Sequence, residues 1–331
     1  MLGRVRARPF GWLVAVCAVV AVAALGLSAS ALARSGAKCG TIVLDENAWS
    51  GATANVYVMK YVLEKNFGCK IDIAKLPEST PLFQAMADGK VDVVLEDWEN
   101  IKLAANRHYV TKQKAIVELG PSGIEGPIGW YIPRYLLKQY PQFATWKGLK
   151  GKESIFKSPE SGSQGMFLGG DPSYVQKDQQ LIQALGLNLK FVSVGAEPAQ
   201  VARWTQLYKQ KKPVLFYWYE PQYLNAPVGP YDLVQVKLPP RFPGCKDTVT
   251  KPVGPLNLYR CAYHTFVIDK LYTTKFATSG SPAVAVIKRW HWADADQEQV
   301  AKWIAGDHMD PDKAAEKWVK ANPTKVNAWL K

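Results

Sequence analysis

The sequence predicts an α/β protein of two lobes, with mixed sheets flanked by helices. Short β-like runs alternate with helical stretches from Thr41 onward, an order typical of partly parallel sheets. The same alternation restarts after Gly126. The chain has 331 residues, 48% of them hydrophobic, which is enough to bury a sizeable core and suits two lobes better than one.

The N-terminus has the pattern of an export signal. Three arginines precede an apolar run over residues 12–27, and a small-residue Ala-Leu-Ala site follows at 31–33. This order predicts a signal peptide over residues 1–33, and hence a mature chain that is secreted, periplasmic or associated with the cell surface. A membrane anchor is the alternative, although the run is short for a span of roughly 20 residues.

The predicted first lobe begins with a strand, a loop and a helix. Residues 41–44 are β-like, and residues 51–67 carry apolar side chains at helical spacing before Gly68. The following elements are a strand over 70–76, a helix over 81–87 and a strand over 91–95.

A second series of elements predicts the other lobe. Its strands are expected at 129–132, 190–194 and 214–217, and its helices at 134–140, 176–185 and 198–210. The C-terminal tail reads as amphipathic helices. We therefore expect lobe I to comprise residues 39–125 and 225–331, and lobe II to comprise residues 126–224.

Four cysteines remain after the predicted signal, an even number that favours disulfides in an exported chain. We predict that Cys39 pairs with Cys69 and that Cys245 pairs with Cys261, because each pairing joins residues that are close in sequence. Four cysteines allow three connectivities, and the sequence does not choose among them. No CxxC spacing or histidine cluster indicates a metal site, and no cofactor motif is present.

The chain is basic, with a formal net charge of +13. Removal of residues 1–33 takes away three arginines and no acids, and leaves +10. The lysines are spread along the chain, with the densest group at 209–212, so they indicate solvated faces rather than a nucleic-acid site.

Aromatic residues follow the predicted strands at several exits. Trp49, Trp98 and Tyr219 stand beside acids and prolines rather than inside an apolar periodicity, and Trp130 is a candidate fourth ring. In open α/β sheets, ligands gather outside the carboxyl ends of strands. Aromatic faces suit a cation that cannot donate a hydrogen bond, such as a quaternary ammonium group, and each ring contributes roughly 0.5–2 kcal/mol.

Polar residues near these rings complete the predicted site. Asp97 is placed to offset the charge of a cation, and Glu96 and Glu99 are weaker candidates. Gly162 and Ser163 lie in a small-residue segment that would expose backbone N–H groups to a ligand carboxylate. Capping and a plain turn are the alternatives for these positions.

Four motifs resemble the glycine betaine and choline binding proteins of ABC importers, the OpuAC-like or ProX-like family. They are Asn-Ala-Trp-Ser-Gly at 47–51, Gly-Lys-Val-Asp-Val at 89–93 leading to Asp97-Trp98, Gly-Trp-Tyr-Ile-Pro at 129–133, and Trp-Tyr-Glu-Pro at 218–221. The resemblance implies a type II periplasmic binding-protein fold that closes on its ligand. It also implies a monomer that serves a membrane permease.

The resemblance implies that Trp49, Trp98 and Tyr219 form an aromatic box around the ligand. Tyr219 stands where the family commonly has tryptophan. Gly51 stands where choline-binding members carry an acid, which favours a betaine over choline. Carnitine, proline betaine and other cations remain open as ligands.

Two other functions are compatible with parts of the sequence. A binding protein of the same fold for an amino acid would use an arginine and an acid, and Arg203 with Asp97 could supply them. A secreted hydrolase would need a nucleophile and a base, and the sequence has no GxSxG elbow. The sequence therefore favours solute capture over catalysis.

Overall fold

The computed structural model describes residues 39–225, 227–249 and 253–331. The signal peptide predicted at 1–33 lies outside these residues. Among the helices of the described ranges, none is both long and apolar enough to cross a membrane.

The strands are short apart from two. They are β1 (Thr41–Asp45), β2 (Lys70–Ala74), β3 (Val93–Asp97), β4 (Ile116–Pro133), β5 (Gly165–Gly169), β6 (Leu189–Ser193), β7 (Phe216–Tyr219), β8 (Leu233–Gln235) and β9 (Thr265–Thr273). The helices are α1 (Ser50–Phe67), α2 (Thr80–Ala87), α3 (His108–Thr111), α4 (Tyr135–Gln139), α5 (Trp146–Leu149), α6 (Asp178–Leu185), α7 (Glu197–Lys209), α8 (Thr274–Ala277), α9 (Ala283–Arg289), α10 (Asp294–Ala301), α11 (Pro311–Ala321) and α12 (Pro323–Leu330).

The sheet is mixed, and its strands follow the order β2-β1-β3-β9-β4-β7-β5-β6. In the first half, β1 pairs in parallel with β2 and β3, and β9 joins β3 in the antiparallel sense. In the second half, β5 pairs in parallel with β6 and β7, while the end of β4 runs antiparallel to β7. The predicted mixed α/β class is confirmed.

Two long strands join these halves. β4 pairs along most of its length with β9, and its last residues pair with β7 and β8. The sequence predicts only residues 129–132 of β4 as strand and does not predict β9. Residues 120–127 are rich in glycine and proline, a loop-like composition, but here they form an irregular strand with register shifts.

The chain returns to the first half of the sheet after β8. β8 pairs with the end of β4, so residues 233–235 belong to the second half of the sheet. The chain re-enters the first half at β9, where Thr265 lies opposite Pro127.

Helix α1 forms close to its predicted bounds, and Trp49 lies directly before its first residue. Its apolar face includes Val58, Met59 and Val62, all of which are fully buried. The helix ends where Gly68 adopts φ 64°, a left-handed conformation that glycine accepts at low cost.

Two disulfides are present, and they have the predicted pairing. Cys39 is joined to Cys69, and Cys245 is joined to Cys261. The first bridge ties the start of β1 to the start of β2. The second closes a loop with a sequence separation of 16 residues, which lowers the entropy of the unfolded chain.

Candidate functional site

A cavity with about 370 Å³ of atom-free space lies where strand ends of the two halves meet. The lining is mostly aromatic and consists of Trp49, Glu78, Trp98, Ile128, Tyr174, Val175, Tyr217, Tyr219 and Phe266.

Three of the predicted rings line this one cavity. Trp49 immediately precedes α1, Trp98 follows β3, and Tyr219 ends β7. The rings of Trp98 and Tyr219 meet edge to face, with centroids 5.4 Å apart. The three strand exits lie far apart along the chain, and the fold brings their rings together.

One buried carboxylate holds both indoles. Glu96 Oε1 accepts a hydrogen bond from Trp49 Nε1 at 2.8 Å and another from Trp98 Nε1 at 2.9 Å. Its other oxygen accepts from Asn55 Nδ2 at 2.5 Å and from Gln297 Nε2 at 2.9 Å. Glu96 thus fixes the orientation of both rings behind the cavity.

The surroundings of Glu96 change the pKa of its carboxyl group. Burial raises the pKa of this carboxyl to about 7, while the hydrogen bonds from the indoles of Trp98 and Trp49 act in the opposite direction. A cation in the cavity would favour the ionised form, so binding and ionisation of Glu96 support one another.

The sequence favoured Asp97 over Glu96, but the structure places Asp97 away from the cavity. Side chains alternate between the two faces of a strand, so Glu96 shares a face with Trp98, whereas Asp97 points to the other. Asp97 is fully buried, and its Oδ1 accepts from the Ile101 backbone N–H at 3.2 Å. The alternation of side chains along β3, which places Glu96 on the same face as Trp98, was the signal that could have identified Glu96.

Glu78 is a further carboxylate that sequence reasoning missed. It lies between β2 and α2, is 2% exposed and lines the cavity. Its Oε1 accepts from the backbone N–H of Trp98 at 2.7 Å. Burial, followed by the charge of the neighbouring Asp97, raises the pKa of Glu78.

The second side of the cavity is phenolic. The hydroxyl of Tyr219 donates to Glu197 Oε2 and accepts from Gln222 Nε2 at 3.0 Å. Glu197 Oε1 also accepts from the backbone N–H of Ser50 at 3.1 Å and from its hydroxyl at 3.0 Å. Glu197 therefore links the ring of β7 to the start of α1.

Three lining rings were not predicted. Tyr217 lies two residues before Tyr219 and therefore shares its face of β7. Tyr174 follows β5 in a loop, and its ring meets Trp49 at 5.9 Å. Phe266 belongs to the unpredicted strand β9. The exit of β5, Gly-Gly-Asp-Pro-Ser-Tyr at 169–174, was the signal that could have identified Tyr174.

Trp130 does not reach the cavity. It lies in β4 with its side chain fully buried, its ring centroid is 4.8 Å from that of Phe167, and its Nε1 donates to Asp178 at 2.7 Å. Its place inside a pleated, covered strand makes it part of the core rather than a presented ring.

Gly162 and Ser163 also lie elsewhere. They form an exposed turn before β5, and neither belongs to the cavity lining. Because β5 runs parallel to β7, its start is at the opposite edge of the sheet from Tyr219. The small residues after β5, not those before it, adjoin the cavity.

A wider cleft adjoins the cavity and shares three of its residues. It contains about 1360 Å³ of open space, and Trp49, Glu78 and Tyr174 line both spaces. Acidic side chains are prominent in the cleft, namely Glu46, Glu78, Asp171 and Glu197. In residues 39–225, 227–249 and 253–331, no three His, Cys, Asp or Glu residues are grouped so that they could hold a metal ion.

Known structures share this fold at low identity. Lactococcal OpuAC, solved closed with glycine betaine, has a TM-score of 0.64 and 16% identity, covering 88% of this chain and 100% of that one. ProX of Borrelia burgdorferi, a glycine betaine/L-proline-binding protein, has a TM-score of 0.66 and 20% identity, covering 88% and 97%. A choline-binding protein in complex with choline has a TM-score of 0.66 and 16% identity, covering 88% and 92%.

The fold is thus that of the type II periplasmic binding proteins. Residues 40–321 match the OpuAC family, described as the substrate binding domain of the ABC-type glycine betaine transport system, and the chain belongs to that family. It is a substrate-binding protein of an ABC importer.

Proposed function

We propose that this protein captures a small quaternary-ammonium solute, of the glycine betaine and choline class, in the aromatic cavity. One observation carries the proposal: six rings from five segments of the chain surround a single small cavity that has a carboxylate in its wall. The rings are those of Trp49, Trp98, Tyr174, Tyr217, Tyr219 and Phe266.

The chemistry of such a lining fits a cation with no N–H groups. A quaternary ammonium spreads its charge over methyl groups, which aromatic faces match in both shape and field. Each such contact contributes roughly 0.5–2 kcal/mol, so four contacts at the upper end of this range approach the roughly 8 kcal/mol net that micromolar binding requires. Among the residues that the structure describes, the lining includes no lysine, arginine or histidine that would repel the ligand.

Binding is coupled to closure of the cleft. Three contacts hold the sides of the cleft together, namely Trp98 on Tyr219, Ser50 on Glu197, and Glu99 on His264. A solute that touches rings on both sides binds the closed form more tightly, and this difference shifts the equilibrium towards closure. The closed monomer, exported by its signal peptide, then docks on the importer's permease.

We propose that the protein binds its solute without transforming it chemically. The described cavity lining contains no serine, cysteine, threonine or histidine that could act as a nucleophile or as its imidazole base. The amino-acid alternative also lacks support, because Arg203 pairs with Glu160 at 2.9 Å and lies outside the lining.

Tryptophan fluorescence provides the first test, since two indoles line the cavity. The purified protein is titrated separately with glycine betaine, choline, carnitine, proline and arginine. Saturable changes with the quaternary amines alone are expected. A response to proline or arginine, with silence towards the quaternary amines, would overturn the proposal.

A further inference from the structure

The cleft around the cavity is acidic although the chain as a whole is basic. In the described part of the chain, four carboxylates line it, those of Glu46, Glu78, Asp171 and Glu197, against one cationic side chain, that of Lys75. Lys75 Nζ lies 3.3 Å from Glu46 Oε2, so its charge is offset. In a chain of net charge +13, this grouping makes the mouth of the site a local region of negative potential.

We infer that the preferred ligand is a quaternary-ammonium cation without a carboxylate, and that Glu78 selects it over zwitterions. This inference rests on the proposed function and narrows it to a choline-like charge type. Its basis is the juxtaposition of an aromatic cavity, a buried carboxylate in the cavity wall and an acidic entrance.

Glu78 is suited to this role by its position. It lines both the ring cavity and the outer cleft, so a solute seated among the rings has Glu78 beside it. The hydrogen bond from the Trp98 backbone N–H fixes one carboxylate oxygen at 2.7 Å. Burial and the charge of Asp97 raise the pKa of Glu78, and a cation seated among the rings favours its ionised form. A ligand hydroxyl can then donate to this carboxylate, whereas a ligand carboxylate beside it meets a like charge.

A zwitterion would need a matching positive group, and the described cavity lining contains none. Lys177, a buried lysine of the second half, is directed elsewhere, because its Nζ bonds the Lys246 carbonyl at 2.7 Å and lies 3.3 Å from Asp247. The Tyr174 hydroxyl has no hydrogen-bond partner among the described residues. It can bond a ligand hydroxyl or carboxylate, but a single neutral donor does not balance a full charge.

Gly51 pointed the sequence-based prediction towards a betaine, because an acid is expected there in choline-binding members. In the structure, a side chain at this position would meet Gln297, with Cδ only 2.9 Å from the added Cβ. The carboxylate comes instead from Glu78, on the segment between β2 and α2. The missing acid at position 51 therefore does not make the cavity neutral.

Calorimetric titration of the purified protein with choline, glycine betaine and 3,3-dimethylbutan-1-ol tests the charge preference. The last compound is the uncharged carbon analogue of choline. Choline should bind about tenfold or more tightly than either, since like-charge juxtaposition with the betaine carboxylate is costly. Glycine betaine binding as tightly as choline would overturn the inference and leave the proposed function standing. Absence of binding by both quaternary amines would overturn the proposed function.

The variant Glu78→Gln tests the assigned residue. The amide keeps an oxygen for the Trp98 N–H but removes the charge, so the ratio of choline to betaine affinity should fall about tenfold, mainly through weaker choline binding. Glu78→Asp keeps the charge and should retain the preference for choline. Glu64→Gln, on the outer surface of α1, is the matched control and should leave the ratio unchanged. An unchanged ratio in correctly folded Glu78→Gln would refute the role of Glu78.

Discussion

The two sides of the cavity are built differently. The first wall, Trp49 and Trp98, presents two indoles whose N–H groups share the single carboxylate of Glu96. The second wall, Tyr174, Tyr217 and Tyr219, presents three phenols. Tyr219 bonds Glu197, whereas the Tyr174 hydroxyl has no partner among the described residues.

Because of this difference, the first wall holds its rings in fixed orientations, whereas the second wall can adjust to a ligand. In the first wall, one buried group determines the angle of both rings, so the wall is formed before any ligand arrives. In the second wall, Tyr219 is held by Glu197 and Gln222, whereas the Tyr174 hydroxyl has no partner among the described residues and can meet a ligand. We expect changes in the first wall to be transmitted between its rings and changes in the second wall to stay local.

Removal of one ring from each wall should have the largest effect. Trp98→Ala with Tyr219→Ala removes an edge-to-face pair and two cation contacts, so affinity for a quaternary amine should fall about 100-fold. Calorimetry measures the loss, and Phe242→Ala, an exposed ring outside the cavity, is the control. Unchanged affinity in a folded double variant would exclude the ring cavity as the binding site.

Matched amide variants behind the two walls test the comparison directly. Glu96→Gln should weaken binding about tenfold, since charge-assisted hydrogen bonds to both indoles are lost. In ¹H–¹⁵N spectra it should shift the indole signals of both Trp49 and Trp98. Glu197→Gln should leave those two signals near their original positions. If Glu96→Gln moved only one indole signal, the shared support would be disproved.

Acidification should weaken cation binding by a smaller factor. Burial raises the pKa of Glu96 to about 7, so below that pH a bound cation must displace its proton. Affinity should therefore rise between pH 5.5 and 8, and calorimetry in buffers of different ionisation enthalpy should detect proton release. The slope of affinity against pH should be shallower in Glu96→Gln.

Because the pKa of Glu96 is above its ordinary 4.5, the stability of the empty protein should fall as pH rises from 4.5 to 7.

The smallest effect is expected at the bridge outside the cavity. His264 lies 2.8 Å from Asp247 and 3.0 Å from Glu99, and these hydrogen bonds raise its pKa to about 9. Its stabilising contribution is complete below the ordinary value near 6.5 and is lost as pH rises through 9. His264→Gln should lower Tm at pH 6 and have little effect at pH 10. An equal loss of Tm at both values would show that charge is not involved.

Local patterns in the sequence were enough to predict much of the fold. Alternating strands and helices, and the glycine that ends α1, are signalled by neighbouring residues, so these elements appear near their predicted positions. The long strands β4 and β9 were missed in large part, because their hydrogen bonds are made to distant segments. The prolines and glycines of 120–127 gave no local sign of a strand.

The site was predictable to the extent that it depends on strand ends. Trp49, Trp98 and Tyr219 were found in this way, and Tyr174 follows the same rule at the exit of β5. Glu78 could not be found, because only tertiary packing brings the segment between β2 and α2 to the cavity. Trp130 was wrongly expected near the ligand. The residues around it resemble a strand exit, but Trp130 lies within a paired strand.

The β4–β9 pair has a consequence for the rate of release. Both halves of the sheet share these strands, whose register shifts around Gly120 and Gly123. We therefore expect opening of the cleft to bend the strands near this irregular segment. An added Cβ at Gly123 would collide with the Trp292 carbonyl oxygen, so the segment is closely packed. A stiffer segment would slow opening and lengthen the residence time of the solute without altering a single contact in the cavity.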